Sequence, residues 1–179
     1  MIAAMCALED HQETRREAGD RALESPNRGW NRALPPSISR AVHRQEELRV
    51  ATHGRSLIEV TDEVRAIVAR SGVETGLCVV FCQHTSASLL IQENADPSAA
   101  SDILRWFSRL APDGDPRYTH TAEGKDDMPS HLRAAVTRTS ETLPVTEGEL
   151  NLGTWQGVFL FEHREVPHTR VLVVHVHGE

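Results

Sequence analysis

Strand-like segments follow one another in this sequence instead of alternating with helices, and that order constrains the fold more than any other feature. Residues 47–52 (Glu-Leu-Arg-Val-Ala-Thr) alternate polar and apolar as a half-buried strand. His53-Gly54 turns, and residues 56–60 read as the partner strand. Strand-like runs recur as neighbours at residues 77–83 and 86–92. They recur again at 143–146, 150–162 and 169–177, with a turn at Glu147-Gly148. Three helical patterns interrupt them. Thr61 is placed to cap the first, Asp62 and Glu63 suit its positive end, Val64, Ile67 and Val68 give one apolar face, and Ser71-Gly72 stops it. The second starts at Asp96-Pro97, cap then first-turn proline, and offers Ala100, Ile103, Leu104, Phe107 and Leu110 for burial. The third is capped by Asp126 or Asp127, carries Pro129 in its first turn, and turns Leu132, Ala135 and Val136 inward. With no internal repeat and no strict strand–helix alternation, the expected class is α+β: one compact domain of largely antiparallel β-sheets in a sandwich-like core with about three helices.

Residues 1–40 carry six acids and six arginines, few large apolar groups, and end in Leu34-Pro35-Pro36-Ser37. That composition predicts a weakly structured N-terminal tail with at most a frayed helix over 9–24, leaving 41–179 as the folded domain. The chain has 19 basic and 26 acidic residues, a formal charge of -7. A nucleic-acid backbone would be repelled by this balance, and no basic cluster offsets it. Lys125 is the sole lysine, hence the sole candidate for amine chemistry. The first eight residues lack a basic n-region, and charge or turn residues break every apolar run well short of a membrane span. A cytoplasmic protein is the expectation. Cys6, Cys78 and Cys82 make an odd number, and the last two, four apart on one strand, would have α-carbons ~13 Å apart at about 3.3 Å per residue, too far for a disulfide. Free thiols follow.

Ten histidines are many for this length. His175 and His177, at i and i+2, share a strand face about 6.6 Å apart, a spacing that suits zinc, although no third ligand lies nearby in sequence. His84 ends an apolar strand and opens His84-Thr85-Ser86-Ala87-Ser88. His120 lies in the long polar segment 111–127, and His131 lies near the start of the third helix, where the positive helix end favours neutral imidazole. Their spacing matches no local metal motif. Ser86 and Ser88 beside His84 suggest a nucleophile, but no Gly-x-Ser-x-Gly elbow is present. Glu93, Asp96 and Asp102 offer carboxylates for Mg²⁺, with Asp96 better explained as a helix cap. Gly153-Thr154-Trp155-Gln156 suggests a mid-strand bulge or a close backbone approach.

Taken in order, His84-Thr85-Ser86-Ala87, Glu93-Asn94-Ala95-Asp96-Pro97, Asp102, Tyr118-Thr119-His120, His131-Leu132 and Gly153-Thr154-Trp155-Gln156 resemble the YjbQ family of secondary thiamine-phosphate synthase enzymes over roughly residues 45 to 178. The resemblance implies an α+β homotrimer with a histidine cluster, His84, His120 and His131, as a site for Zn²⁺, another divalent metal or an anion. It further implies Asp102, His84, Glu93 and Asn94 as catalytic residues, with Gln156, Glu162 and Arg170 at matched polar positions. The implied activity is joining hydroxymethylpyrimidine diphosphate to thiazole phosphate with release of pyrophosphate. That reaction needs the leaving diphosphate neutralised by Mg²⁺ and by cations such as Arg170 and Lys125, both otherwise surface residues. The run Asp126-Asp127-Met128-Pro129-Ser130 departs from the Asn-Ala-rich approach of many relatives and puts two carboxylates beside the last histidine. A trimeric, non-catalytic binding protein for a metal or small anionic metabolite is the alternative.

Overall fold

The computed structural model describes residues 41–179; the expected tail over 1–40, its helix and Cys6 lie outside the described residues. The elements run β1 (Val42–Thr52), β2 (Ser56–Glu59), α1 (Thr61–Ser71), β3 (Thr75–Cys82), β4 (Ala87–Glu93), α2 (Pro97–Leu110), α3 (Asp127–Val136), β5 (Ser140–Thr146), β6 (Glu149–Leu150), β7 (Gln156–Glu162) and β8 (His168–Gly178). A five-stranded sheet has the order β1-β8-β3-β5-β6 and a three-stranded sheet the order β2-β7-β4. Every pairing is antiparallel. The class is α+β with three helices.

Alternation builds the core. Leu172, Val174 and Val176 of β8 and Cys78, Val80 and Cys82 of β3 point inward, meeting Leu89 of β4 and Val158 and Leu160 of β7. The apolar face of α1, Val64, Ile67 and Val68, joins the same cluster. Burial pushes the Cys78 thiol up to about 12 and the Cys82 thiol up to about 11, so both are inert packing groups, free as the strand spacing predicts. Strand β7 is buried along nearly its whole length. Its Phe161 meets Phe107 of α2 edge-on at 5.0 Å, so α2 packs on the small sheet.

The chain turns where the sequence indicates. Gly72 ends α1 in the left-handed region at φ 72°, and Asp96 caps α2 by accepting from the Ser98 N–H at 2.8 Å. Between β5 and β6, Glu147 and Gly148 both take positive φ, 53° and 76°, as a two-residue hairpin with the twist of its strands requires.

Four local expectations are corrected. Residues 150–162 are two strands in different sheets, parted by a turn in which Gln156 N–H donates to Gly153 O at 2.9 Å, so Gly153-Thr154-Trp155-Gln156 is a crossing and not a bulge. Thr61 does not cap α1. Its hydroxyl accepts from Val158 N–H at 2.9 Å and donates to Glu59 at 2.7 Å, tying the helix start to the small sheet. Leu110 at the end of α2 is half exposed. On α3, Ala135 and Val136 face outward and Arg133 is fully buried, because its guanidinium donates to Phe107 O, Ala111 O and Asp113. Among the described residues no helix is long and apolar enough to cross a membrane.

Candidate metal centre

Asp127 is the first residue of α3 and His131 lies four residues on, so both side chains share one helix face. The preceding loop returns to lay His120 beside them. His120 Nε2 is 2.8 Å and His131 Nε2 3.4 Å from the same oxygen, Asp127 Oδ2. One ligand atom from each of the three lies within 4.8 Å of the others, and the two rings are 5.5 Å apart between centroids.

The surrounding bonds set what this trio can do. His131 Nδ1 is 3.1 Å from the carbonyl of Thr85, which only accepts, so Nδ1 carries a proton and Nε2 is the nitrogen that faces Asp127. Asp127 Oδ1 accepts from Arg164 Nη1. Asp127 Oδ2, by contrast, is buried with no donor in hydrogen-bond geometry. A buried carboxylate oxygen facing two imidazole nitrogens is costly unless a cation or protons stand between them. The carboxylate is nearly enclosed, while the His120 and His131 side chains are half and one-third exposed, leaving the outer side of the cluster open.

Arg164 fixes the carboxylates from behind. Its Nε donates to Asp126 at 3.1 Å and its Nη2 to Glu123 O at 2.7 Å, while the Glu165 N–H also donates to Asp126 at 2.9 Å. Burial would raise the Asp126 carboxyl, but these donors outweigh it and hold it below the usual range. Asp126 sits at the α3 cap position without capping it, because Arg164 and Glu165 have taken its side chain.

His84 stands apart from the trio. Its Nε2 accepts from the Val171 N–H at 2.7 Å, and burial together with the Arg170 charge lowers its basicity. The ring is therefore neutral with Nδ1–H as the donor; the group of ligand atoms that the fold gathers is His120, Asp127 and His131, and the segment after His84 lends it the Thr85 carbonyl. Asp102 is exposed on α2, paired with Arg105, and lines an open groove of about 950 Å³ with Trp106, Val136 and Arg138 that includes none of the three histidines. Asn94 donates to Glu59 at 3.0 Å, Glu93 ends β4 opposite Gln156, and Gln156 itself accepts from Gly153 N–H. The expected catalytic set is thus divided among several places.

Arg170 is not a surface cation. It is 4% exposed and donates to both oxygens of fully buried Glu162, at 2.7 and 2.6 Å, with Thr52 and Arg164 N–H completing the carboxylate's shell. Lys125 is exposed, 4.0 Å from Glu165. The sequence reading also missed buried His163, whose Nε2 meets the hydroxyl of buried Ser88 at 2.9 Å. For Asp127 a signal was present: carboxylate and imidazole at i, i+4 on a helix.

Two imidazoles and a carboxylate with an open side form a donor set for Zn²⁺ or another borderline first-row ion. Mg²⁺ prefers an all-oxygen shell and fits it less well. An α+β domain of two antiparallel sheets with such a cluster at the start of its third helix is thereby defined as a class. The model of the family described as "UPF0047 protein YjbQ-like" matches residues 46–179, and the chain belongs to that family. It is 56% identical over 135 residues to a UPF0047 protein of Synechocystis, covering 75% of this chain and 92% of the relative. It is 40% identical over 136 residues to YjbQ of Escherichia coli, covering 75% and 98%. Among solved structures it is similar to a YbjQ-like protein of unknown function from Sulfolobus solfataricus, with TM-score 0.72 and 28% identity over 78% of this chain and 99% of that one. It is also similar to a conserved hypothetical protein from Thermus thermophilus, with TM-score 0.64 and 35% identity over 72% and 97%.

Proposed function

We propose that the chain is a metal-dependent protein acting on a small phosphorylated metabolite, with His120, Asp127 and His131 holding one divalent ion of the zinc class. The observation that carries this reading is Asp127 Oδ2, buried, without a donor, and faced by two imidazole nitrogens. When bound, such an ion supplies positive charge for a leaving or ligating phosphate. The chain's own residues do the rest: Arg164 orients Asp127, the Thr85 carbonyl fixes the His131 tautomer, and His84 keeps a neutral Nδ1–H for a substrate oxygen.

The reaction to test first is thiamine-phosphate synthase-type transfer, in which the bond from the pyrimidine methylene carbon to the diphosphate oxygen breaks and the thiazole nitrogen takes that carbon. Homotrimeric assembly belongs to the same proposal and is read by light scattering. One observation favours a second reading, a binding protein without turnover: Arg164 and Arg170 are both spent on buried carboxylates, so little cationic charge is left for two phosphorylated substrates. A coupled assay with both phosphorylated precursors and Zn²⁺, Mn²⁺ or Mg²⁺ separates the two. Pyrophosphate release that needs both precursors, and that stops with chelator and in His131→Ala, supports the transferase. A metal-loaded protein with no release at high concentration overturns it in favour of the binding protein.

A further inference from the structure

The pair His175 and His177 lacks a third ligand in its own stretch of sequence, and the fold supplies one from 132 residues upstream. Strand β1 pairs with β8 along its whole length, in a register that sets His43 directly opposite His177 and Gln45 opposite His175. Directly opposed residues share a sheet face, as do i and i+2, so His43, His175 and His177 stand together on the outer face of the large sheet. Their ring centroids form a nearly equilateral triangle, 5.8 Å for His175–His177, 6.1 Å for His43–His177 and 6.2 Å for His43–His175.

We propose that His43, His175 and His177 form a second metal site, separate from the one at α3, that takes a Zn²⁺-class ion through three imidazoles and clips edge strand β1 to β8. A point equidistant from the three centroids lies about 3.5 Å from each, and a metal–nitrogen bond of about 2.1 Å puts the ion roughly 3.2 Å from a ring centre. The ring centres thus stand near the distance a shared ion needs, but their nitrogens do not yet converge as the ligand atoms of His120, Asp127 and His131 do. The rings of His43 and His177 are now stacked at 19°, so binding turns them about their side-chain torsions to aim nitrogens inward, while the strands keep their places. Both rings also line a small open cavity of about 330 Å³ with Glu179, which leaves room for a fourth ligand, water or carboxylate. Three imidazoles with one open position suit Zn²⁺, and Cu²⁺ or Ni²⁺ by their general order of affinity, and exclude Mg²⁺ and Ca²⁺. The strand being clipped is the edge of its sheet, where pairing is one-sided and fraying begins.

The test is a Zn²⁺ titration by calorimetry of the metal-free full chain carrying His131→Ala, which silences the α3 centre. One equivalent of Zn²⁺ is expected to remain, weakened about tenfold or more by His43→Gln and by His175→Gln, with unchanged circular dichroism. Co²⁺ in its place is expected to give the visible absorption of a four-coordinate ion, lost in the same variants. Amide exchange along residues 42–46 is expected to slow on adding Zn²⁺ to the His131→Ala protein and not to the protein that also carries His43→Gln. No equivalent remaining, or one indifferent to His43→Gln, overturns the site. Because one equivalent follows His131 and the other follows His43, failure of either site leaves the other readable.

Discussion

Two of the polar centres among the described residues, around Glu162 and around Asp127, are built from the same kinds of residue and are opposite in character. Around Glu162 every position is filled: Arg170 grips both oxygens, Thr52 and the Arg164 amide add donors, and both members of the ion pair are buried. Beside it His163 Nε2 meets the Ser88 hydroxyl in the interior, while His163 Nδ1 is buried without a partner. Around Asp127 one oxygen is held by Arg164 and the other faces two imidazoles that open to solvent. A saturated, dry cluster has no valence left for a ligand and serves the fold. An unsaturated one at the surface is where chemistry has room.

The comparison breaks most directly at the closed centre. Arg170→Met is expected to cost about 3–5 kcal/mol, because it leaves the Glu162 carboxylate buried without its partner. Urea unfolding would read this, and a loss below 1 kcal/mol would show that the centre is not closed. Next in size, His131→Ala or Asp127→Asn is expected to weaken divalent-metal binding at the α3 centre by more than about a hundredfold, or about 2.7 kcal/mol, with the fold kept, as calorimetry would show. Equal affinity would mean the open centre holds no metal.

A smaller effect follows from pH. Burial, aided by the Arg133 charge, pushes the His163 imidazole down to about 3 from an ordinary value near 6.5. The unfolded chain therefore binds a proton that the folded chain refuses between those values, so stability is full above about pH 6.5 and falls as the pH drops toward 3. At pH 5 the loss is about 2 kcal/mol, from 1.36 kcal/mol per unit of pH. His163→Gln should remove that part of the acid sensitivity, measured as the difference between urea midpoints at pH 7.5 and pH 5. Smallest of all, Asp102→Ala should leave the melting temperature and metal affinity unchanged, since Asp102 is exposed and paired only with its helix neighbour Arg105. A fall in turnover with metal affinity intact would bring the α2 groove into the reaction and redraw the boundary of the open centre.

Much of the fold was legible because its signals are local. The alternation at residues 47–52, the Gly72 stop, the Asp96-Pro97 start and the Glu147-Gly148 hairpin each depend on a few neighbouring residues and on backbone preferences that hold in any context. The misreadings share a cause. Thr61, Asp126 and Arg170 each have a plausible local role, as cap or surface charge. Each was recruited by a group outside its own element: Val158, Arg164 and Glu162.

The candidate site divides along the same line. The sequence offered His120 and His131 as candidate ligands through the family motifs they fall on, since their spacing matches no local metal motif. The helix period also held Asp127 at i, i+4 from His131, where it was first taken for a cap. Only the tertiary structure shows what engages His84, since the Val171 amide that occupies its Nε2 comes from 87 residues away. In the same way it brought His43 to His175 and His177. Local sequence determines backbone shape and the inward or outward sense of each side chain, because those depend on near neighbours. Which polar atoms are left without a partner depends on every strand that packs around them, and that only the folded chain decides.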